Sequence, residues 1–116
     1  MLGAAFKKDV NDPRNSPSVR LMELLLKEGA RLEYHDPYVR EVKVGLGIYS
    51  RHQHDITLTS VELDETAIAA ADCVVITVAH SSYDFGSIAR SASLVVDTVN
   101  AMRSVSPEDK NHVVLI

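Results

Sequence analysis

Three basic side chains stand close together near the start of the chain: Lys7, Lys8 and Arg14. They lie in a charged, turn-forming segment between the apolar stretch MLGAAF and the first helix pattern. A link between a strand and a helix in an α/β unit needs only about 2–6 residues, so this segment is longer than a link requires. If MLGAAF is a strand of a parallel sheet, Lys7 lies at its carboxyl end, where such sheets bind ligands. From spacing alone, the commoner explanation is that these charges are solvated and pair in part with Asp9 and Asp12.

Two further motifs suggest cofactor or metal binding only weakly. The sequence GLGIYS contains Gly45 and Gly47 but no third glycine and no helix pattern after it, which favours a turn or bulge over a phosphate-binding loop. In HQHD, His52 and His54 would point to one face of a strand and could share a metal ion. No third ligand is identifiable from the sequence, so an exposed loop is favoured and no metal site is predicted.

Residues of nucleophilic type occur later in the chain. Cys73 lies in the apolar run DCVVITV, where no neighbour in sequence would activate its thiol, so a core position is expected. The segment AHSSYD offers His80, Ser81, Ser82 and Asp84. Neighbours in sequence rarely form a catalytic triad, because a triad is defined by roles in three dimensions. A turn followed by a helix cap, with Asp84 or Ser82 as the capping side chain, is favoured here, and no catalytic residue is predicted.

Helix signals occur at three places. Ser16 before Pro17 is typical of a helix start and Gly29 of a helix stop, which predicts a helix over residues 17 to 28. Two further helices are expected to begin near Asp64 and Asp84.

Apolar runs predict strands over residues 1–6, 72–79, 93–97 and 112–116, and the alternation in ARLEYHDP predicts a strand over residues 30–37. Residues 39 to 60 are ambiguous, because VREVKVGLG fits a strand or an irregular segment and DITLTS fits a short strand. Strands that alternate with helices favour an α/β fold with a doubly wound, mostly parallel sheet.

Length and composition limit the possible architectures and partners. With 116 residues, 46% of them apolar, the chain is sized for one domain with one core. Its formal charge of −4 gives no chain-wide basic footprint, so neither nucleic acid nor a membrane surface is expected as a partner. No apolar run approaches the ~20 residues of a membrane span and no signal sequence is recognisable, so a cytoplasmic protein is expected. The single cysteine agrees with a reducing compartment.

Four stretches together resemble the carboxy-terminal domain of the UDP-glucose/GDP-mannose dehydrogenase family: LGAAFKKDVNDPRNSPS, LLLKEGARLEYHDPYV, AADCVVITVAHSSYDF and LVVDTVNAM. They occur in the family's order and cover nearly the whole chain, except residues 41 to 58 and the tail. The opening motif, G-x-A-F-K followed by D-x-R-x-S-P, is the most specific part. The portion HSSYDF with VVDTVNA is most similar to the branch that oxidises UDP-N-acetylhexosamines.

The resemblance implies a Rossmann-like, three-layer αβα domain that holds the nucleotide diphosphate of a UDP-sugar. Family members oxidise the C6 hydroxyl of a nucleotide-linked sugar to a carboxylate in two NAD-dependent hydride transfers, through a cysteine-bound thiohemiacetal. An amino-terminal Rossmann domain binds most of the NAD, and a central helical region mediates dimerisation. Residues 1 to 116 would then be the UDP-binding domain alone, which binds but does not catalyse. The full-length enzyme would be a homo-oligomer that serves polysaccharide synthesis.

Four residues of the opening segment match family positions. Phe6 and Lys7 match a pair that contacts the UDP-sugar near its nucleotide and diphosphate. Arg14 matches an arginine that reaches across the interdomain cleft toward NAD, and Asp12 would orient it, although simple pairing of the two remains an alternative. Cys73 does not match the catalytic cysteine of the family.

The resemblance is broken at Val99, where many members carry an arginine that binds the nucleotide sugar. The side chain of valine cannot donate a hydrogen bond, so another group such as Arg103 would have to replace that contact. Two rival functions stay open: a stand-alone nucleotide-binding regulatory module, and a response-regulator-like signalling domain. The second is disfavoured because the strand ends present no clear acidic cluster.

Overall fold

The computed structural model describes residues 1–45 and 56–116. Its helices are α1 (Pro17–Lys27), α2 (Glu65–Ala70) and α3 (Phe85–Ser91), and a short 3-10 helix covers Pro107–Asp109. Its strands are β1 (Glu41–Val44), β2 (Ile56–Thr59), β3 (Val74–Ile76), β4 (Val95–Asp97) and β5 (Val113–Leu115). Gly47 and the HQHD motif, with His52 and His54, lie outside the described residues.

The main sheet is parallel. Strands β3, β4 and β5 are neighbours in that order, with Val75 opposite Val96 and Val96 opposite Val114. On the other side of β3, Leu2 forms parallel bridges to both Ile76 and His35. The order is therefore the His35 segment, the Leu2 segment, β3, β4 and β5, which is the doubly wound order with a switch point beside the first segment. This confirms the predicted α/β fold.

The first two predicted strands are much shorter than expected, because each contributes only an isolated bridge. The amides of Leu2 and Gly3 donate to the carbonyls of Val75 and His35 at 2.8 and 2.9 Å. The next two amides, of residues 4 and 5, donate instead to the side chain of Asp36. The pairing ends after Gly3 because a carboxylate takes the donors that would have continued the ladder.

Two apolar clusters cover the two faces of the sheet. One contains Met22 of α1, and Met1 packs against it. The other contains Leu2, with Ile68 of α2 and Ile88 of α3. Successive residues of extended chain point to opposite faces, so Met1 and Leu2 place these clusters on opposite sides. The result is the expected three-layer αβα arrangement.

Local signals set the ends of α1 as predicted. The hydroxyl of Ser16 accepts from the Ser18 amide at 3.2 Å and caps the first turn. At the other end Gly29 has φ +87°, and the Ala30 amide donates to the carbonyl of Leu25 at 3.0 Å. This is the hydrogen-bond pattern of a Schellman motif, in which glycine takes the left-handed conformation.

The ambiguous middle of the chain forms a hairpin in its described parts. Strands β1 and β2 pair antiparallel, with Val42 opposite Leu58. Val42 and Val44 are buried in the same cluster as Met22, so the hairpin extends the layer that holds α1. Among the helices of the described ranges, none has the length and apolar character needed to cross a membrane.

Candidate functional site

A buried carboxylate organises the carboxyl edge of the sheet. Asp36 follows the bridge residue of the second segment, and its side chain is inaccessible to solvent. Its Oδ2 accepts from the amides of Ala4 and Ala5 at 2.8 and 3.1 Å, and its Oδ1 accepts from Tyr38 and Val39 at 2.8 and 3.0 Å. Burial alone would raise the pKa of Asp36, but these hydrogen bonds outweigh it and hold the pKa below its ordinary value. The ionised side chain therefore ties the opening segment to the turn after residue 36.

His80 lies in the loop after β3 and is fully buried against this carboxylate. Its Nε2 lies 2.7 Å from Oδ2 of Asp36, and its Nδ1 accepts from the backbone amide of Asp9 at 3.0 Å. Tyr38 and Tyr83 pack against the imidazole, with ring centroids 5.1 and 5.7 Å away. One imidazole thus joins the opening segment, the turn after Asp36 and the loop after β3.

The side chain of Asp9 makes a second link between the same loops. Its carboxylate accepts from both the amide and the hydroxyl of Ser81. These two hydrogen bonds are the main reason that the pKa of Asp9 is lowered. Asp9 also has φ +59°, a left-handed conformation that is uncommon for residues other than glycine.

Phe6, Lys7 and Lys8 form an exposed crest between these anchored points. The chain is held at Ala4 and Ala5 on one side and at Asp9 on the other. Phe6 is 55% exposed, which is unusual for a large aromatic side chain. The crest therefore presents two cations and an aromatic ring to solvent on a fixed backbone.

Asp12 and Arg14 form a bidentate pair beyond the crest. The Nε and Nη2 atoms of Arg14 each lie 3.0 Å from a carboxylate oxygen of Asp12. The side-chain hydrogen bond from Arg14 is the largest of the effects that lower the pKa of Asp12 to about 2. The Arg14 side chain is 86% exposed and so remains accessible while its partner orients it.

A cleft of about 660 Å³ opens where β3 and β4 end, a size typical of small-molecule sites. Lys8, Arg90 and Arg103 contribute cations to its lining, and Ser81 contributes a hydroxyl. Asp84 and Asp109 also line it, and the Nη1 atom of Arg90 lies 3.7 Å from Oδ2 of Asp109, which leaves Lys8 and Arg103 as the cations without a carboxylate partner among the described residues. Val99, which is 40% exposed, lies in the same lining as Arg103.

The floor beneath Val99 is held by a second buried aspartate. Asp97 ends β4, and its carboxylate accepts from the amides of Val99, Ala101 and Met102 at 3.1, 3.0 and 2.9 Å. Arg103 is fixed at the rim, where its Nη1 donates to the carbonyl of Asn100 at 3.2 Å. The turn that carries Val99 and Arg103 is therefore rigidly attached to the end of β4.

The structure brings only some of the predicted residues to this cleft. Lys8, rather than Phe6 or Lys7, lines it, and all three lie on the crest beside it. Cys73 precedes β3 and so lies at the opposite, amino-terminal edge of the sheet. It is half-buried rather than a full core residue as expected.

The sequence reasoning missed the residues that hold the site together. His80 was expected only in a turn, and Asp36 only as a strand end. The available signal was position at the end of a predicted strand, where a parallel sheet turns toward its ligand edge: Asp97 directly follows the apolar run LVV, and Asp36 follows the alternating stretch ARLEYH. The predicted helix cap at Asp84 is confirmed, because its carboxylate accepts from the Ser87 amide at 3.0 Å.

This arrangement is suited to anion binding. Cations and hydroxyl groups converge at the carboxyl edge of a parallel sheet, at the side where the strand order reverses. Among the described residues, no three histidine, cysteine or acidic side chains are grouped so that they could hold a metal ion.

Comparisons with known proteins agree with this geometry. The model of the UDP-glucose/GDP-mannose dehydrogenase family, UDP binding domain, matches residues 1–104. UDP-glucose 6-dehydrogenase 3 of Arabidopsis thaliana is 36% identical over 64 residues, which are 55% of this chain and 12% of the relative. UDP-glucose 6-dehydrogenase of Pseudomonas aeruginosa is 31% identical over 70 residues, which are 60% of this chain and 14% of the relative.

The fold is also found in a solved structure. The UDP-D-ManNAc dehydrogenase of Pyrococcus horikoshii superposes with a TM-score of 0.68 and 23% identity, covering 99% of this chain and 24% of that one. The chain thus corresponds to a small part of each of these proteins.

Proposed function

Because the chain belongs to the UDP-glucose/GDP-mannose dehydrogenase family, we propose that it is the UDP-binding domain of an NAD-dependent UDP-sugar 6-dehydrogenase. In this role residues 1 to 116 form a single domain that holds the nucleotide diphosphate of the UDP-sugar. The oxidation of the sugar C6 hydroxyl to a carboxylate requires domains that bind NAD and carry the catalytic cysteine. The domain by itself binds its ligand and does not catalyse.

The observation that carries this proposal is the set of cations at the carboxyl edge of the sheet. A diphosphate needs donors and positive charge at a place where the backbone is fixed, and charge-assisted contacts to phosphate oxygens are strong. Lys7 and Lys8 lie on a crest anchored at both ends, and Arg103 lines the same cleft as Lys8. We assign Lys7 to the diphosphate by its family position, and Phe6 to the nucleotide.

Arg103 supports the proposal at the position where the family pattern fails. The side chain of Val99 cannot donate a hydrogen bond, but Arg103 lines the same cleft and its guanidinium is held near the turn by the Asn100 carbonyl. We infer that Arg103 supplies the donor that an arginine at position 99 would have supplied. The sugar is proposed to be an N-acetylhexosamine, on the similarity of HSSYDF and VVDTVNA to that branch.

NAD is proposed as the cofactor of the whole enzyme, with Arg14 as this domain's contact. Arg14 is solvent-exposed and is oriented by two hydrogen bonds to Asp12. A guanidinium held in this way can reach a phosphate on a facing domain without a large further loss of side-chain entropy. The full-length enzyme is proposed to be a homo-oligomer, with its main contacts outside these residues.

Calorimetric titration at low salt with UDP, UDP-N-acetylglucosamine and NAD tests the proposal. We expect both uridine ligands to bind and NAD to give no heat. Lys7→Ala should weaken UDP binding by roughly ten- to a hundredfold, because a charge-assisted contact is worth about 1.5–3 kcal/mol. Lys8→Ala in parallel identifies which of the two cations contacts the diphosphate.

Lys27→Ala is the matched control, since Lys27 is an exposed lysine in the last turn of α1. It should leave UDP affinity unchanged. If the unmutated chain bound no uridine ligand, or if the control weakened binding as much as Lys7→Ala, the assignment of this edge to a diphosphate would be wrong.

A further inference from the structure

His80 is a buried imidazole that joins the opening segment, the turn after Asp36 and the loop after β3. It is fully buried, and both of its ring nitrogens have partners. Every buried side-chain nitrogen and oxygen in the described residues has a hydrogen-bond partner, so this network is complete as it stands. A buried polar network of this kind fixes a single arrangement of the groups that it joins.

The partners of His80 determine which nitrogen carries the proton. The backbone amide of Asp9 can only donate, so the Nδ1 atom that it reaches at 3.0 Å must accept with its lone pair. Nε2 therefore carries the hydrogen and donates to Oδ2 of Asp36 at 2.7 Å. The imidazole is held in its neutral Nε2–H tautomer by these two contacts.

These contacts hold both ends of the crest through one pair of side chains. The Asp36 oxygen that accepts from His80 also accepts from Ala4 and Ala5, before the crest. The other nitrogen of His80 holds Asp9, after the crest. The crest itself is therefore stretched between two anchors that meet at one imidazole.

Asp9 needs such an anchor. Its backbone has φ +59°, a conformation that is costly for a residue other than glycine unless its surroundings impose it. The His80 contact to its amide and the Ser81 contacts to its carboxylate supply that constraint. Without the acceptor on His80, the amide of Asp9 would lose its buried partner and the chain could relax from this conformation.

We propose that His80 is a positioning residue for the nucleotide diphosphate: its Nδ1 holds the Asp9 amide and so fixes Lys7 and Lys8 where the phosphates bind. This inference rests on the proposed function for the identity of the ligand. His80 itself does not contact the ligand, and its two ring nitrogens have different roles. Nδ1 fixes the crest, whereas Nε2 satisfies the buried Asp36.

Two substitutions separate these roles. Asparagine at position 80 places an amide oxygen near the position of Nδ1 and retains an acceptor for Asp9, but it loses the donor to Asp36. Glutamine places its amide near Nε2 and retains a donor to Asp36, but it loses the acceptor. UDP affinity by calorimetry and the thermal midpoint are measured for both variants.

We expect His80→Gln to weaken UDP binding about tenfold and His80→Asn to weaken it by less than about threefold, as loss or retention of one hydrogen bond implies. Both variants should melt at a lower temperature than the unmutated chain. If His80 had only a structural role, affinity would follow the loss in thermal midpoint in both. Equal losses of affinity, or a larger loss in His80→Asn, would overturn the proposal.

Spectroscopy of the unmutated chain tests the same point without a variant that might misfold. A two-bond ¹H–¹⁵N correlation spectrum should show His80 protonated at Nε2 alone, and the Asp9 amide should exchange slowly with solvent. An Nδ1–H tautomer or a freely exchanging Asp9 amide would overturn the proposal. These two readouts do not depend on ligand. Failure of UDP to bind would therefore contradict the proposed function, whereas the tautomer of His80 and the exchange of the Asp9 amide would still decide whether His80 holds the crest.

Discussion

At the scale of single residues, two buried aspartates, Asp36 and Asp97, bind the backbone amides of the loops at the strand ends. Asp36 and Asp97 each lie at the end of a sheet segment, are buried, and accept hydrogen bonds from several backbone amides. An ionised carboxylate has two oxygens and no donor, so it suits a place where every facing group is a donor. Asparagine would put an amide group against such donors. These two positions therefore require the charged residue.

Asp36→Asn should destabilise the chain at neutral pH by about 3 kcal/mol, because its amide group would face buried N–H donors that lose their acceptor. The substitution should also change the response to acid. The pKa of Asp36 is lowered in the folded state, so its stabilisation is complete above about pH 4 and is lost as pH falls through the folded value. Thermal midpoints between pH 7 and pH 3 should therefore fall less steeply in the variant.

Asp72→Asn is the control for this experiment, since Asp72 is an exposed aspartate. It should change neither the stability at neutral pH nor the acid response. Parallel curves for Asp36→Asn and the unmutated chain below pH 4 would show that the network around Asp36 does not contribute to acid stability.

At the scale of elements, the segment that contains Gly3 can pack against the chain after β3 only because glycine has no side chain. Gly3 has φ +104°, and a Cβ at this position would lie 2.5 Å from Cβ of Val78 and 2.7 Å from its backbone nitrogen. The end of the first segment thus directly contacts the chain that follows β3. Gly29 also has positive φ, +87°, but a Cβ there would meet nothing within 4 Å.

Gly3→Ala should cost more than about 3 kcal/mol, because backbone strain and a clash in the core act together. Gly29→Ala should cost about 1–2 kcal/mol, because only the left-handed backbone is unfavourable. Urea denaturation of the two variants provides the comparison. Similar losses in the free energy of unfolding at both glycines would mean that the contact between Gly3 and Val78 relaxes easily. That contact would then not fix the opening segment against the chain after β3.

The same elements show which features the sequence could predict. The caps at Ser16 and Asp84 were predictable because each side chain bonds to an amide two or three residues away. The early ends of the first two strands were not, since they depend on Asp36 accepting amides from Ala4, which is 32 residues away in sequence. His80 and Asp36 are 44 residues apart, and no local pattern joins them.

The candidate site divides in the same way. The family motif pointed to the crest and to the Asp12–Arg14 pair beyond it, because Phe6, Lys7, Asp12 and Arg14 lie in one short segment of the sequence. It could not indicate that Lys8 lines the cleft, or that Arg103 shares that lining with Val99, since both depend on how the loops after β3 and β4 meet. The resemblance therefore indicates residues of the opening motif, whereas the residues that line the cleft with them can be identified only from the fold.

At the scale of the whole molecule, the two edges of the sheet have different properties. The carboxyl edge carries Lys8, Arg90 and Arg103 around the cleft. The thiol of Cys73 lies before β3, at the amino edge. A ligand held at the carboxyl edge is therefore separated from this thiol by the length of the sheet. The oxidation proposed for the full enzyme needs a cysteine at the reacting carbon, and Cys73 is not placed to serve.

We therefore expect this chain to form no NADH when it is mixed with NAD and either UDP-glucose or UDP-N-acetylglucosamine. Cys73→Ala should bind UDP with unchanged affinity, because its side chain lies away from the cleft. Absorbance of NADH over an extended incubation, at ligand concentrations that saturate the calorimetric isotherm, is the measurement. NADH formation that required Cys73 would contradict both the separation of the two edges and the proposal that this domain binds without catalysing. Binding without NADH formation would instead support hydride transfer in the rest of the enzyme, with this domain binding the diphosphate.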